Sequence, residues 1–208
     1  MDAKALLVTG PQVSSDGNLT AQRAGKSGES VVTQLHGRYY EQASRRNIFC
    51  AANQAAQTWS VGLSTAYAGL VVSNPFVSQQ VNLSILQVGF ALAAAPAAPA
   101  SIGLFVGYAA AGGDAVSSHS TPVTPQRTFI GGGAGQGLAD AVATLVGGKI
   151  SWVHQMMGGF TAAALPSSSP SVIDLGGLFI IPPGAFFAIG ALTAVSGLGS
   201  IVWEEIPV

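Results

Sequence analysis

Apolar and polar residues alternate at period two along several short runs of this chain. Val61, Leu63, Thr65 and Tyr67 interleave with Ser60, Gly62, Ser64 and Ala66, the pattern of a strand with one face on a core. Val81, Leu83 and Ile85 begin a second run. Its phase then slips, and Leu86, Val88, Phe90 and Leu92 carry it on, which predicts a β-bulge. Further strands are expected at 102–108, 128–130, 142–146, 150–156, 172–181, 185–194 and 200–206. Stretches rich in Gly, Pro, Ser and Ala at 95–99, 111–125, 131–137 and 166–170 separate them and read as turns and loops. Helical periodicity fills no long window, although 53–57 and 138–145 each fit a short helix. Many short strands divided by such turns predict an all-β chain, a β-sandwich of jelly-roll type.

Residues 175–203 carry no charge, long enough to raise a transmembrane helix. Pro182, Pro183 and Gly184 stand in its middle, where proline removes helical donors and clashes with the preceding turn. Two strands joined by that tripeptide, 177–181 and 185–189, fit better, and no membrane partner is expected.

Charge changes the picture of what the chain meets. Only 8% of the 208 residues are charged, against roughly 25% in an ordinary globular domain. The eight basic and nine acidic residues nearly cancel, so no broad field exists to steer nucleic acid or anionic lipid. Lys4, Arg23, Lys26, Arg38, Arg45 and Arg46 lie in the first 50 residues, whereas 51–113 has no Asp, Glu, Lys or Arg. The polar segment 1–50 therefore reads as an N-terminal arm and 51–208 as the sandwich domain, whose uncharged faces are expected to be buried against identical copies. The start, Met1, Asp2, Ala3 and Lys4, has no basic region followed by an apolar core, so synthesis in the cytoplasm is expected. The lone Cys50, among Ile48, Phe49 and Ala51, reads as a small buried apolar residue.

Candidate chemistry is sparse. Gly25, Lys26 and Ser27 end like a phosphate loop, but Thr20 stands where that loop needs glycine. The glycine run 131–137 lacks dinucleotide spacing and reads as a turn. His36, His119 and His154 have no partners at metal-ligand spacing, and no cofactor or metal is expected. Asp114, Ser117, Ser118 and His119 hold the residue types of a hydrolase, yet sit in a polar loop without a nucleophile elbow. Glu204 and Glu205 are neighbours in what reads as an edge strand, where they would point to opposite faces and discourage edge-to-edge pairing. No catalytic residue is assigned.

The residues Val31, Val32, Thr33, Gln34, Leu35, His36, Gly37, Arg38, Tyr39, Tyr40, Glu41, Gln42 and Ala43, followed by Arg46, Asn47, Ile48 and Phe49 and by Ala51, Ala52, Asn53, Gln54, Ala55 and Ala56, resemble the amino-terminal part of virion structural proteins of tailed bacteriophages. The closing portion, 178–204, with its Pro-Pro-Gly turn and its Trp-Glu-Glu, is similar to the end of the same group. The resemblance implies a jelly-roll head decoration or cement protein, often trimeric, on the outside of the capsid, with the major capsid protein as partner and no catalytic residue. A tail or neck component is the alternative it leaves. Leu35, Arg38, Tyr39, Tyr40, Arg45 and Arg46 are the expected partner contacts, since arginine and aromatic side chains dominate interface energetics.

Overall fold

A computed structural model describes residues 7–8, 22–23, 38–76, 81–109, 112–131, 133–146, 149–157 and 171–207. Chain contacts divide the protein into two compact units, Met1–Tyr40 and Glu41–Val208. In the first, β1 (Leu7–Val8) pairs in parallel with β2 (Gln22–Arg23). A short helix, α1 (Tyr40–Ser44), lies at the division. The boundary expected after residue 50 instead falls within a strand, β3 (Ile48–Ala52).

The second unit continues with β4 (Gln57–Thr58), β5 (Ala66–Asn74), β6 (Val81–Leu92), β7 (Ile102–Tyr108) and β8 (Val116–Val123). It ends with β9 (Gln126–Arg127), β10 (Leu138–Leu145), β11 (Lys149–Met157), β12 (Ser171–Ile181), β13 (Ala185–Ala191) and β14 (Ser196–Pro207). These strands form two sheets. Sheet I has the order β11-β7-β13-β5-β10-β8; sheet II has the order β12-β6-β14-β3-β9, with β4 also on β14. The strand pairings within both sheets are antiparallel. The all-β sandwich read from the alternation is the fold.

Inward residues of both sheets make one core, with Phe49, Leu70, Leu83, Ile85, Phe187, Ile201 and Trp203 at its centre. The phase slip in β6 is a bulge. Trp203 pairs with Ile85 and Val202 with Gln87, which leaves Leu86 as the extra residue, so that both Ile85 and Val88 face inward. Pro182, Pro183 and Gly184 join two strands as expected, and the strands lie in different sheets. The Gly184 amide donates to Asn74 O at 2.7 Å, fixing this passage against β5.

Two buried asparagines link the sheets where an apolar side chain would leave backbone groups without partners. Asn53 donates to Gly69 O at 2.7 Å in β5 and accepts from the Gly199 amide at 2.8 Å in β14. Asn74, at the end of β5, donates to Val81 O at 2.7 Å and Ile181 O at 2.9 Å in sheet II.

The outer face of sheet I is a second apolar layer, built of Tyr67, Val71, Phe105, Ala143, Leu145, Phe186 and Ala188. Phe105 is its hub, edge-on to Tyr67, Trp152 and Phe186 at centroid distances of 5.6, 5.4 and 5.9 Å. The rings lie on glycines. A Cβ on Gly190 would meet Phe105 at 2.7 Å, and one on Gly107 would meet Phe186 at 2.5 Å. The Tyr67 hydroxyl donates to Ile189 O at 2.6 Å, and burial raises its pKa above the ordinary phenol value.

Several local expectations give way to pairing. Residues 60–65 alternate but touch the sheet only through an isolated parallel bridge, Val61 to Ala191, with no continuous ladder, and Val61 is 52% exposed; the strand begins at Ala66. Residues 138–145 are strand rather than helix, because β5 and β8 flank them and supply ladder bonds on both sides. Residues 53–57 form a bend that leads into β4, and 128–130 form a turn after β9. The stretch 111–125, expected as loop, holds β8. The strand bearing Glu204 and Glu205 lies between β6 and β3 rather than at an edge.

Candidate functional site

Of the expected contact residues, Leu35 lies outside the described residues. The Arg38 guanidinium stands 5.1 Å from the centroid of the Tyr39 ring. Tyr40, at the start of α1, is half-exposed. Arg45 and Arg46 follow α1, and both are exposed. Arg46 closes the helix in the left-handed conformation, φ 66°, with its amide donating to Ala43 O at 3.0 Å while the Asn47 amide donates to Gln42 O at 3.1 Å. Glycine or asparagine is the usual residue there. An arginine costs about 1–3 kcal/mol of backbone strain. Its guanidinium sits 5.0 Å from the centroid of the Phe129 ring. Phe129 is 46% exposed and Ile130 83%. The structure thus joins one expected contact, Arg46, to Phe129, which with Ile130 the alternation had assigned to a strand. The signal that could have found them is an apolar pair running directly into the glycines 131–133.

The outer face of sheet II is open where that of sheet I is closed. On β12, Val172, Leu178 and Ile180 are exposed. Between Asp174 and Phe179 the strand departs from its register with β6, and Gly176 and Gly177 take left-handed φ of 58° and 86°. Asp174 Oδ1 accepts from the Gly176 amide at 2.9 Å across this bulge, which pushes Leu178 outward. Beside Val172 a shallow groove of about 240 Å³ runs over sheet II, walled by Leu198, Gly89, Ala91, Ala52 and Ser200. Small residues on the central strands leave the hollow; larger ones on β12 and β14 form its sides.

The hydrolase-type residues are not gathered. Asp114 Oδ1 accepts from the Phe76 amide at 2.6 Å, and Ser117 Oγ donates to Thr144 O at 3.2 Å. His119 instead meets Asp140 of β10, Nδ1 to Oδ2, at 2.7 Å. Asp140 is buried, and its Oδ1 has no hydrogen-bond partner among the described residues. Burial raises the Asp140 pKa, and the hydrogen bond and charge of His119 offset part of that rise. Among the described residues no group of three or more His, Cys, Asp or Glu side chains could hold a metal ion. Burial raises the pKa of the Cys50 thiol, which disfavours its reactive thiolate.

Glu205 is a structural acceptor. Its Oε1 takes the Gly137 amide at 2.8 Å and its Oε2 the Gln136 amide at 3.0 Å, fastening the glycine-rich loop over Trp203. Gln136 also reaches Asn74 Oδ1, at 3.2 Å. Glu204 is half-buried, and burial raises its pKa. No helix among the described residues is long and apolar enough to cross a membrane. The chain matches no protein-family model, no curated protein and no solved structure.

Proposed function

We propose that this chain is a structural subunit of a tailed-bacteriophage virion, a decoration or cement protein that binds the outside of the head and stabilises the shell by bridging capsid subunits. The observation that carries this reading is the winding of the sandwich. In sheet II, β3, β14, β6 and β12 are neighbours in that order, and in sheet I β5, β13, β7 and β11 are. Strands taken inward from the two ends of this set pair in turn, β3 with β14, β5 with β13, β6 with β12 and β7 with β11, which supports a jelly-roll reading with β8, β9 and β10 as an insertion that widens both sheets. Jelly rolls recur in virus shells, and the two ends of the sequence resemble phage virion proteins.

The reading treats the chain as non-catalytic. Asp114, Ser117 and Glu205 bond to the chain's own backbone and His119 to Asp140, and Val172, Leu178 and Ile180 are apolar side chains left facing outward on sheet II. An apolar face of this kind suits an obligate contact. The partners in this reading are further copies, three in the expected oligomer, and the major capsid protein, reached through segment 1–50. Binding only in the assembled shell adds free energy to the closed particle by mass action.

Labelling the chain in virions and imaging the particles tests the placement. Label over the head surface is the expected result. Label at the neck or tail overturns the head assignment in favour of a tail or neck component, and absence of the chain from virions overturns the virion reading altogether. Deletion of residues 1–50 is expected to abolish attachment to the shell, and unchanged attachment contradicts the role given to the arm.

A further inference from the structure

Ile130 is the most exposed large hydrophobic residue among those described, at 83%. With Phe129 it projects from the turn that follows β9, at the edge of sheet II where the Thr128 amide donates to Ile48 O at 3.0 Å. The Arg46 guanidinium packed on Phe129 makes this projection cationic as well as apolar. Elsewhere on the same sheet lies its complement, the groove walled by Val172, Leu198 and Ala91 over Gly89. The groove is concave and apolar. Two residues beyond Val172 along β12 is Asp174, and Glu204 lies further along β14 from Leu198, so the charges along the strands that wall it are acidic.

A chain that carries a projecting apolar group at one place and an apolar hollow at another is suited to head-to-tail contact between copies, in which the two surfaces differ. Addition of backbone at the sheet edges is a poorer route. β12 is interrupted by its two-glycine bulge, and β8 and β11 each lose register with their neighbours more than once. Irregular edges of this kind discourage strand pairing between molecules.

We propose that Ile130 and Phe129 of one copy seat in the sheet II groove of the next, with Arg46 turned toward the Asp174 side of that groove. The contact rests on the homo-oligomer part of the proposed function and names its two surfaces. One such contact leaves the groove of one copy and the projection of the other unused, so repeating it closes the assembly as a ring or extends it as an open filament, and the expected trimer is the ring. Arginine in the left-handed position after α1 fits this arrangement, because its guanidinium already lies on Phe129 in the single chain.

Two full-length variants test it, Ile130→Asp and Leu198→Asp, each removing one of the two surfaces. In solution the wild-type chain is expected to show a multiple of its 20.9 kDa mass and each variant alone the single-chain mass. An equimolar mixture is expected to recover a two-chain complex, because the intact projection of Leu198→Asp meets the intact groove of Ile130→Asp. Leu198→Ser together with Val172→Ser replaces the second variant should aspartate disturb β14, and the strand signal in circular dichroism verifies folding. A variant that keeps the wild-type mass, or a mixture that stays single-chain, overturns this contact while leaving the oligomer reading in place. A wild-type chain that is single at all concentrations overturns both.

Discussion

The outer faces of the two sheets are apolar in different ways. On sheet I, Phe105 and Phe186 are 0% exposed, ring against ring and each over a glycine of a neighbouring strand. On sheet II, Val172 is 60% and Leu178 72% exposed, and the central strands carry glycine and alanine at the floor of the groove. Apolar composition alone therefore does not mark an interface. What differs is whether large side chains have small ones beside them to lie on. Among the described residues, the outer face of sheet I is covered within the chain, and that of sheet II leaves apolar side chains exposed.

The largest expected effect comes from breaking the closed face. Phe105→Ala removes the ring that touches Tyr67, Trp152 and Phe186, and is expected to cost about 3–5 kcal/mol in denaturant unfolding. Loss of less than about 1 kcal/mol would mean that the layer is not a packed core. Asn53→Ala cuts the link between the sheets and strands the Gly69 carbonyl and Gly199 amide, a loss of about 1–3 kcal/mol by the same measurement.

A smaller effect is set by pH at the margin of sheet I. The Asp140 pKa is raised on folding, so the folded chain holds that proton more tightly than the unfolded one. Stability from this group is present below the ordinary aspartate range, near about 4, and declines as pH rises through the raised value. Asp140→Asn is expected to flatten that part of the unfolding midpoint against pH, and an unchanged slope would contradict the assignment. The smallest effect belongs to the open face. Leu178→Ser is expected to change stability by no more than about 0.5 kcal/mol, since Leu178 is mostly in water already.

Much of the sandwich was legible in the sequence. The slip between Ile85 and Val88 marks the bulge of β6, because inward residues must regain phase after one extra residue. The Pro-Pro-Gly turn marks the passage between sheets, because proline ends the ladder on both sides. Period-two reading failed where pairing decides. Val61 and Leu63 alternate with only a single bridge, Val61 to Ala191, to hold them, whereas Ala139, Ala141 and Ala143 become strand through β5 and β8. The charge-free stretch 51–113 suggested a surface covered by other copies, yet most of its large residues, such as Leu70, Val72, Leu83, Ile85 and Phe105, are buried within the chain itself. Of the surface candidates, Arg46 was visible as an arginine within the expected arm. Phe129, Ile130 and the groove by Leu198 were not, because a projection or hollow depends on strands far apart in the sequence.

Protection of sheet II on assembly tests the central claim most directly. Hydrogen exchange and oxidative labelling of the full chain, followed over a dilution series, report both outer faces at once. Labelling at Val172, Leu178 and Leu198 is expected to rise as the protein is diluted and copies separate, while Phe105 and Phe186 stay protected at every concentration. Labelling of sheet II that is high and independent of concentration would contradict the claim that its open face is where another copy binds.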